Sequence, residues 1–222
     1  MNKEFVITGD GSHTIYIPEM DEHYHSTHGA IQESLHIYIN NGLLQFAGGK
    51  ITILEIGFGT GLNAFLTAIY SKRHNISVKY ISIEKFPLTE KEYTNLNYAE
   101  GEFKEYSALF DKIHQSSWEK NIEIEPSFIL LKIQTDLVNY QFDPIPNVDL
   151  VYYDAFAPNK QPDLWSDEVI EKVCKCITNN GLIVTYCAKG TIRRTIASFG
   201  FEMERLPGPP GKKEILRGKK LL

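Results

Sequence analysis

The sequence predicts an α/β protein built on a mostly parallel sheet. Residues 51–56 read ITILEI, a short β-branched run typical of a strand that is buried on both faces of such a sheet. Glycines at 57, 59 and 61 follow this run, and residues 62–70 are apolar and helix-forming. Open α/β sheets use a strand, a glycine turn and a helix in this order to hold nucleotide-like ligands. Later apolar runs predict further strands at 78–84, 127–133, 148–154 and 181–187.

The C-terminal part of the chain is predicted to complete a sheet of seven strands. Residues 201–206 and 214–217 can pair as an antiparallel hairpin around the turn sequence PGPPG at 207–211. Between the strands, helices are predicted at 62–70, 88–99 and 191–199. The fold class is therefore a Rossmann-like α/β sheet, mostly parallel, that ends in an antiparallel hairpin.

The chain is predicted to be a single domain, 1–222, with two parts. Residues 50–222 form the Rossmann-like core, and residues 1–49 form an N-terminal extension. Within the extension, residues 13–17 alternate like a strand and residues 30–39 have a helical pattern. We expect the extension to lie over the edge of the sheet where the ligand binds.

Composition excludes several classes of protein. The chain has 222 residues, of which 42% are hydrophobic and 23% charged, as in proteins that build their own core. No apolar run approaches the roughly 20 residues of a membrane helix, and the first residues lack the apolar region of a signal peptide. Three cysteines, Cys174, Cys176 and Cys187, are too few for a disulfide framework. We expect a protein of the reducing cytoplasm that makes no membrane contact.

The glycine turn indicates which cofactor is bound. Its order is G-x-G-x-G, with Glu55 two residues before the first glycine, whereas dinucleotide-binding turns read G-x-G-x-x-G. A phosphate-binding P-loop is excluded because no Gly-Lys-Ser/Thr follows. The turn resembles the first motif of Rossmann-like methyltransferases that use S-adenosylmethionine. The alternative is a tight turn that binds no ligand.

Candidate cofactor ligands follow from this resemblance and from the strand ends. The motif itself contributes Glu55, Gly57, Phe58, Gly59, Gly61 and Asn63. Glu84 ends the second core strand, where an acid commonly accepts hydrogen bonds from ribose hydroxyls. Asp136 follows the next strand, where methyltransferases often place an acid beside the adenine. Each could instead be an ordinary surface carboxylate.

Asp154 is the candidate catalytic residue because it ends a strand at the edge where open α/β sheets bind ligands. The loop after it, AFAPNKQPDLW, contributes Phe156, Pro158 and Lys160 as candidate substrate contacts. Tyr24 and His25 of the extension are further candidates for lining the pocket. Five histidines lie between residues 13 and 36, but their spacing does not match a zinc motif, so no metal is expected.

Three stretches together resemble the methyltransferase half of the MnmC family. These are EIGFGTGLN at 55–63, DAFAPNKQPDLW at 154–165, and the chain end from Gly200 to Leu216. The resemblance implies that S-adenosylmethionine donates a methyl group to the amine of 5-aminomethyl-2-thiouridine at the tRNA wobble position. The family's bifunctional members also carry an FAD-dependent oxidase half. Because this chain ends at 222, we expect a stand-alone methyltransferase whose substrate amine comes from a separate enzyme.

The charge distribution is consistent with a polyanionic partner. The chain carries −5 overall, but residues 189–222 hold nine Lys or Arg and three Glu, so this segment carries +6 and the remainder −11. In the predicted mechanism, Asp154 accepts a hydrogen bond from the amine and Phe156 stacks on the target base. Two alternatives stay open: a small-molecule N- or O-methyltransferase of the same fold, and an inactive binding module.

Overall fold

The computed structural model describes residues 2–142 and 147–222. In chain order its strands are β1 (Glu4–Ile7), β2 (His13–Ile17), β3 (Glu22–His23), β4 (Gly49–Ile56), β5 (Ile76–Glu84), β6 (Asn121–Glu125), β7 (Phe128–Gln134), β8 (Val148–Tyr153), β9 (Ile177–Thr185), β10 (Phe201–Pro207) and β11 (Glu214–Lys220). Its α-helices are α1 (Ala30–Ser34), α2 (Leu62–Arg73), α3 (Glu90–Tyr93), α4 (Ser107–Gln115), α5 (Asp167–Cys176) and α6 (Gly190–Ser198). A π-helix, Leu35–Asn40, continues α1 directly.

The main sheet confirms the predicted α/β class and its mostly parallel character. Its strand order is β10-β11-β9-β8-β4-β5-β7-β6. The five central strands are parallel, and β6, β10 and β11 pair antiparallel at the two sides. The predicted C-terminal hairpin is present as β10 and β11. The sheet has one strand more than the predicted seven, because the short, half-exposed edge strand β6 carries only a weak sequence signal.

The hydrophobic core has two layers, one on each face of the main sheet. Successive residues of β4 divide between them, since Ile53 belongs to one cluster and Leu54 to the other. Helix α2 covers the first face together with the N-terminal extension, and helices α5 and α6 cover the second. This three-layer arrangement explains why the central strands are apolar throughout rather than alternating.

The extension forms a small sheet of its own, with strand order β1-β2-β3. The predicted helix at 30–39 is present, but its second half is a π-helix. The helix predicted at 88–99 is much shorter, because only α3 is helical there. The Asn95 side chain donates to the Lys91 carbonyl, and the Asn97 amide contacts the extension at His13 N and Gly11 O. These bonds compete with the backbone bonds that a longer helix needs.

Two further observations concern possible sites in the described ranges. Among residues 2–142 and 147–222, no helix is long and apolar enough to cross a membrane. Within the same residues, no three His, Cys, Asp or Glu side chains are grouped as metal ligands would be.

Candidate active site

A cavity of about 930 Å³ opens at the carboxyl edge of the parallel strands. The residues that follow β4, β5, β7 and β8 all line it, and the extension forms its opposite wall. Gly57, Glu84, Thr135 and Asp154 therefore meet in one place although they are far apart in the chain. This is the edge at which open α/β sheets bind ligands, because parallel strands end there together.

The turn between β4 and α2 requires its three glycines. Gly57, Gly59 and Gly61 have φ angles of 91°, 50° and 73°, in the left-handed region that side chains disfavour. A Cβ on Gly57 would lie 2.9 Å from the backbone oxygen of Asp154, and one on Gly61 would lie 2.8 Å from His114 Nε2. The glycines thus allow the turn to pass close to the neighbouring loops and keep its backbone facing the cavity.

Two histidines hold this turn through Thr60. His25 Nε2 lies 2.6 Å from Thr60 Oγ1, and His114 Nε2 lies 3.1 Å from the Thr60 carbonyl. Burial lowers the pKa of His25 to about 4 and that of His114 to about 3, so both rings are neutral at physiological pH. His25 therefore joins the extension to the glycine turn rather than presenting a charge to a ligand.

A buried lysine supports the same turn from behind. Lys132 is 1% exposed, and its ammonium donates to the carbonyls of Ile113 and His114 at the end of α4. It also lies 5.3 Å from the centre of the Phe58 ring and 4.9 Å from that of Trp118. Burial lowers the pKa of Lys132 to about 8. Phe58, from the glycine motif, is thereby fixed at the cavity wall.

Two carboxylates that follow neighbouring strands line the cavity. Glu84 accepts the Gly59 and Phe86 backbone N–H groups, one on each oxygen, and keeps further lone pairs for a ribose diol. Asp136 lines the cavity, but its Oδ2 accepts from Lys85 Nζ at 2.7 Å. That hydrogen bond lowers the pKa of Asp136. Asp136 Oδ1 also accepts from the Val138 backbone N–H at 3.1 Å, so each carboxylate has two donors.

Asp154 lies at the centre of the cavity floor. Its Oδ1 accepts from the Tyr38 hydroxyl at 2.5 Å, and its Oδ2 accepts from Asn63 Nδ2 at 2.8 Å. Burial raises the pKa of Asp154 to about 7, although these two donors oppose that rise. A carboxylate with a pKa near neutrality is suited to accept a proton from a substrate. Asn63 orients Asp154 in this arrangement.

Aromatic and charged side chains form the outer part of the cavity. The Tyr24 and Phe156 rings meet edge to face, with their centres 5.0 Å apart. Lys212 Nζ lies 3.1 Å from Glu33 Oε1 and 5.0 Å from the centre of the Tyr186 ring. An apolar wall beside paired charges can accommodate a flat, polar substrate.

Most of the predicted site residues come together in this cavity. Those that line it are Tyr24, His25, Gly57, Phe58, Gly59, Asn63, Glu84, Asp136, Asp154, Phe156 and Lys160. Three predicted residues do not line it, namely Glu55, Gly61 and Pro158. Glu55 is fully buried and accepts a hydrogen bond from Ser82 on β5, whereas Gly61 shapes the turn from behind.

Some residues at the cavity wall, and one buried directly behind it, were not predicted from the sequence. Tyr38 lies between Ile37 and Ile39 and resembles a core aromatic, yet the π-helix directs its hydroxyl to Asp154. Ile31, Leu35 and Tyr38 share one face of the predicted helix, and this spacing was the sequence signal that could have indicated an inward-facing Tyr38. Glu33 and Tyr186 also line the cavity, but neither lies in a recognisable sequence motif.

Trp165, from the loop after Asp154, is a core residue whose indole donates to the Phe156 carbonyl.

The cavity fits S-adenosylmethionine. Its volume lies within the roughly 300–1,000 Å³ usual for small-molecule sites. Cβ atoms at Gly57 and Gly59 would crowd Asp154 and Tyr24, so the turn presents bare backbone at the cavity wall, and the Glu84 carboxylate offers acceptors for a ribose. Ile83 and Leu137 supply apolar surface beside Asp136 for an adenine ring.

Comparison with known proteins agrees with this geometry. A family model described as S-adenosyl-L-methionine-dependent methyltransferase matches residues 95–221. The tRNA 5-methylaminomethyl-2-thiouridine biosynthesis bifunctional protein MnmC of Pseudoalteromonas atlantica is 30% identical over 218 residues, which cover 89% of this chain and 31% of that protein. MnmC of Cupriavidus metallidurans is 28% identical over 96% of this chain and 33% of its own length. The chain thus spans about a third of the length of the curated relatives it matches.

Solved structures show the same fold. The crystal structure of MNMC2 from Aquifex aeolicus superposes with a TM-score of 0.81 at 24% identity, covering 100% of this chain and 70% of that one. Spermidine synthase from Thermotoga maritima superposes with a TM-score of 0.54 at 12% identity, covering 99% and 72%.

The predicted resemblance to MnmC proteins and the predicted cofactor are confirmed by these matches. The family model covers more than half of the chain, and the cavity at the strand ends has the acceptors and the glycine turn that the cofactor needs. This chain belongs to the family of S-adenosyl-L-methionine-dependent methyltransferases.

Proposed function

We propose that this chain methylates the primary amine of 5-aminomethyl-2-thiouridine at the wobble position of tRNA, in the cytoplasm. The names of its MnmC relatives refer to biosynthesis of tRNA 5-methylaminomethyl-2-thiouridine, which is the product of that methylation. An earlier reaction at another active site must release the primary amine. The proposal rests chiefly on one observation: a buried carboxylate, Asp154, held by two donors at the floor of a cavity with aromatic walls.

Asp154 can position the amine and receive its proton. When bound, S-adenosylmethionine would supply a methyl group on a sulfonium, and the amine nitrogen would form its new bond to that carbon as the sulfur–carbon bond breaks. The nitrogen then loses a proton, which Asp154 accepts directly or through water. A carboxylate beside an amine also favours the ammonium form, and the pKa of about 7 at Asp154 limits this effect because the carboxylate is itself readily protonated. Holding the reactants in line supplies much of the acceleration.

The aromatic wall supports a nucleobase substrate. Phe156 is half-buried, and its ring packs on Tyr24 from the extension. Proteins that act on single bases commonly stack the displaced base on an aromatic ring. We assign this role to Phe156, with Tyr24 fixing its orientation and Lys160 at the edge of the same wall.

Cations in the C-terminal part of the chain support a polyanionic substrate. Lys189 directly precedes α6, and Arg193 and Arg194 follow within that helix. Lys213 lies on the turn between β10 and β11. These four side chains make no ion pair with any carboxylate that the structure describes. Cations without a carboxylate partner are available to contact phosphate groups.

The first experiment is methyl transfer from labelled S-adenosylmethionine to tRNA that lacks the last methyl group, with nucleoside analysis of the product. We expect labelled 5-methylaminomethyl-2-thiouridine. Asp154→Asn should lower kcat at least about 100-fold, as expected for loss of a general base, and should leave cofactor affinity nearly unchanged. Asp111→Asn, an exposed carboxylate on α4, is the matched control. Cofactor binding without any label in tRNA would redirect the proposal to a small-molecule substrate.

The second experiment measures how tRNA affinity depends on salt. Replacing Arg193, Arg194 and Lys213 together with Gln should reduce the slope of log affinity against log salt by about 2–3, since each phosphate contact contributes roughly 0.7–0.9. Lys50→Gln is the matched control, because Lys50 is the second residue of β4 and lies at the amino end of that strand, away from the cavity at its carboxyl end. An unchanged slope in the triple variant would exclude these cations as phosphate contacts.

A further inference from the structure

A line of buried polar side chains runs beneath the cavity floor. Ser82 Oγ on β5 donates to Glu55 Oε2 on β4 at 2.6 Å. Asn63 at the start of α2 donates through Nδ2 to Asp154 Oδ2 at 2.8 Å. Glu55 and Ser82 are fully buried, and Asn63 is 3% exposed. None of the proposed chemical steps uses Glu55, although it is the acid of the glycine motif.

Two oxygens in the middle of this line lack a hydrogen-bond donor. Glu55 Oε1 and Asn63 Oδ1 are both buried and unpartnered, and Asn63 lies near enough to Glu55 to lower its pKa, against the larger rise that burial causes. An ionised carboxylate and an amide oxygen are both acceptors, so they cannot satisfy one another. One proton on Glu55 Oε1 satisfies both atoms at once. The Tyr80 hydroxyl, also buried and unpartnered, can then donate to the same carboxyl group.

We propose that Glu55 is a positioning residue that stays protonated and donates its proton to Asn63 Oδ1. This bond fixes the amide with Nδ2 toward Asp154, so that Asp154 is the member of the carboxyl pair that ionises. The two ends of the Asn63 amide favour different protonation states. Its oxygen needs a donor and therefore a protonated carboxyl group, whereas its N–H group donates best to an ionised one. The inference deepens the proposed function, on which the role of ionised Asp154 rests.

The surroundings of the two carboxyl groups support this assignment. Burial raises the pKa of both Glu55 and Asp154, but Asp154 accepts from two donors, Tyr38 and Asn63, whereas the fully buried Glu55 accepts from Ser82, so the negative charge is better stabilised on Asp154. The titratable groups facing Glu55 are Tyr80 from β5, Tyr152 from β8 and Asp154, and each can carry only negative charge. Glu55 forms no ion pair with the lysines, arginines and histidines in the part of the chain that the structure describes.

Infrared spectroscopy of the cofactor-free protein tests the protonation state directly. At pH 7 the wild type should show a carboxylic acid C=O band that Glu55→Gln removes and that the control Thr67→Val retains. Thr67 is a buried hydroxyl on the same helix, facing Tyr152 instead of Asp154. A wild-type spectrum in which Glu55 is ionised at pH 7 would overturn the proposal. This measurement needs no tRNA, so its outcome is independent of the proposed substrate.

The same spectra test the coupling to Asp154, whose band is identified with Asp154→Asn. Glu55→Gln keeps a donor facing Asn63 Oδ1, so the midpoint for Asp154 should stay within about half a pH unit of its wild-type position. Glu55→Leu removes that donor and frees the amide to turn, so the midpoint should rise by about one unit. Equal midpoints in Gln and Leu variants would show that Glu55 does not position Asn63.

The pH profile of tRNA methylation tests whether the protonation of Glu55 affects catalysis. Wild-type kcat should fall above pH 8, as Glu55 ionises, whereas Glu55→Gln should lack this decline and keep kcat within about threefold at pH 7. Glu55→Leu should lose at least about tenfold in kcat, the effect of one misplaced hydrogen bond to a charged group. Loss of activity in Glu55→Gln as large as in Glu55→Leu would mean that the anion is needed, which contradicts the proposal.

Discussion

The Glu55→Gln variant should make the protein's stability less dependent on pH. The pKa of Glu55 is raised from its usual 4.5 to about 8 by burial. In the unfolded chain Glu55 ionises near its usual value, whereas in the folded protein it stays protonated up to about pH 8. Its contribution to stability is therefore fully present below pH 4.5 and is lost as the pH rises toward 8. Gln has no ionisable group, so its contribution to stability does not change over this pH range.

The size of the effect follows from the two pKa values. The interval between 4.5 and 8 corresponds to about 5 kcal/mol at 1.36 kcal/mol per unit, of which about 3–4 kcal/mol falls between pH 5 and pH 8. Asp154 is present in both proteins, so the difference between variant and wild type isolates Glu55. At pH 5 the two proteins should have nearly the same free energy of unfolding, because both carry a neutral donor facing Asn63.

Urea unfolding at pH 5, 6, 7 and 8 measures this difference. The free energy of unfolding of Glu55→Gln, relative to wild type, should rise steadily across the series, while that of Thr67→Val should stay parallel to wild type. The unfolding slope m should be unchanged, because the surface exposed on unfolding is the same. A relative stability that stays within about 1 kcal/mol from pH 5 to pH 8 would refute a protonated Glu55.

Three further predictions concern other parts of the site. Gly57→Ala should destabilise the protein by more than about 2 kcal/mol and weaken cofactor binding, because the new Cβ would lie 2.9 Å from a backbone oxygen. The control Gly101→Ala, at φ 53° and with no atom near the new Cβ, should cost only about 1 kcal/mol. Lys132→Met should lower the free energy of urea unfolding by about 2–4 kcal/mol through two lost charge-assisted bonds, and Lys104→Met by less than about 0.5. Since the pKa of Asp154 is about 7, kcat/KM for tRNA methylation should fall about tenfold per pH unit below 7; a flat acid limb would contradict its role as an acceptor.

The sequence predicted those features that depend on strand ends. Glu84 and Asp154 each close an apolar run, and parallel strands bring their carboxyl ends to one edge whatever the details of packing. The glycine turn was recognisable for the same reason, since φ angles in the left-handed region select glycine at particular positions. These constraints are local, so they can be recognised in short segments of the sequence.

The direction of a buried side chain was not predictable in this way. Glu55 was predicted to be a cofactor ligand because it belongs to the glycine motif. In the structure β4 turns its carboxyl group inward to Ser82, so it lies beneath the cavity rather than in it. Strand residues alternate between faces, but which partner meets each face depends on the strands and helices packed there.

The sequence alone determined the fold class, the edge of the sheet at which the cavity opens, and the presence of Asp154 at that edge. Tertiary structure alone decided how that carboxylate is held: Tyr38 reaches Asp154 from a π-helix 116 residues earlier in the chain, and Asn63 reaches it from α2. Hydrogen bonds between segments so distant arise only when the extension, the helix and the sheet pack together. Burial then sets the pKa values of Glu55 and Asp154, because desolvation acts through the whole surrounding core.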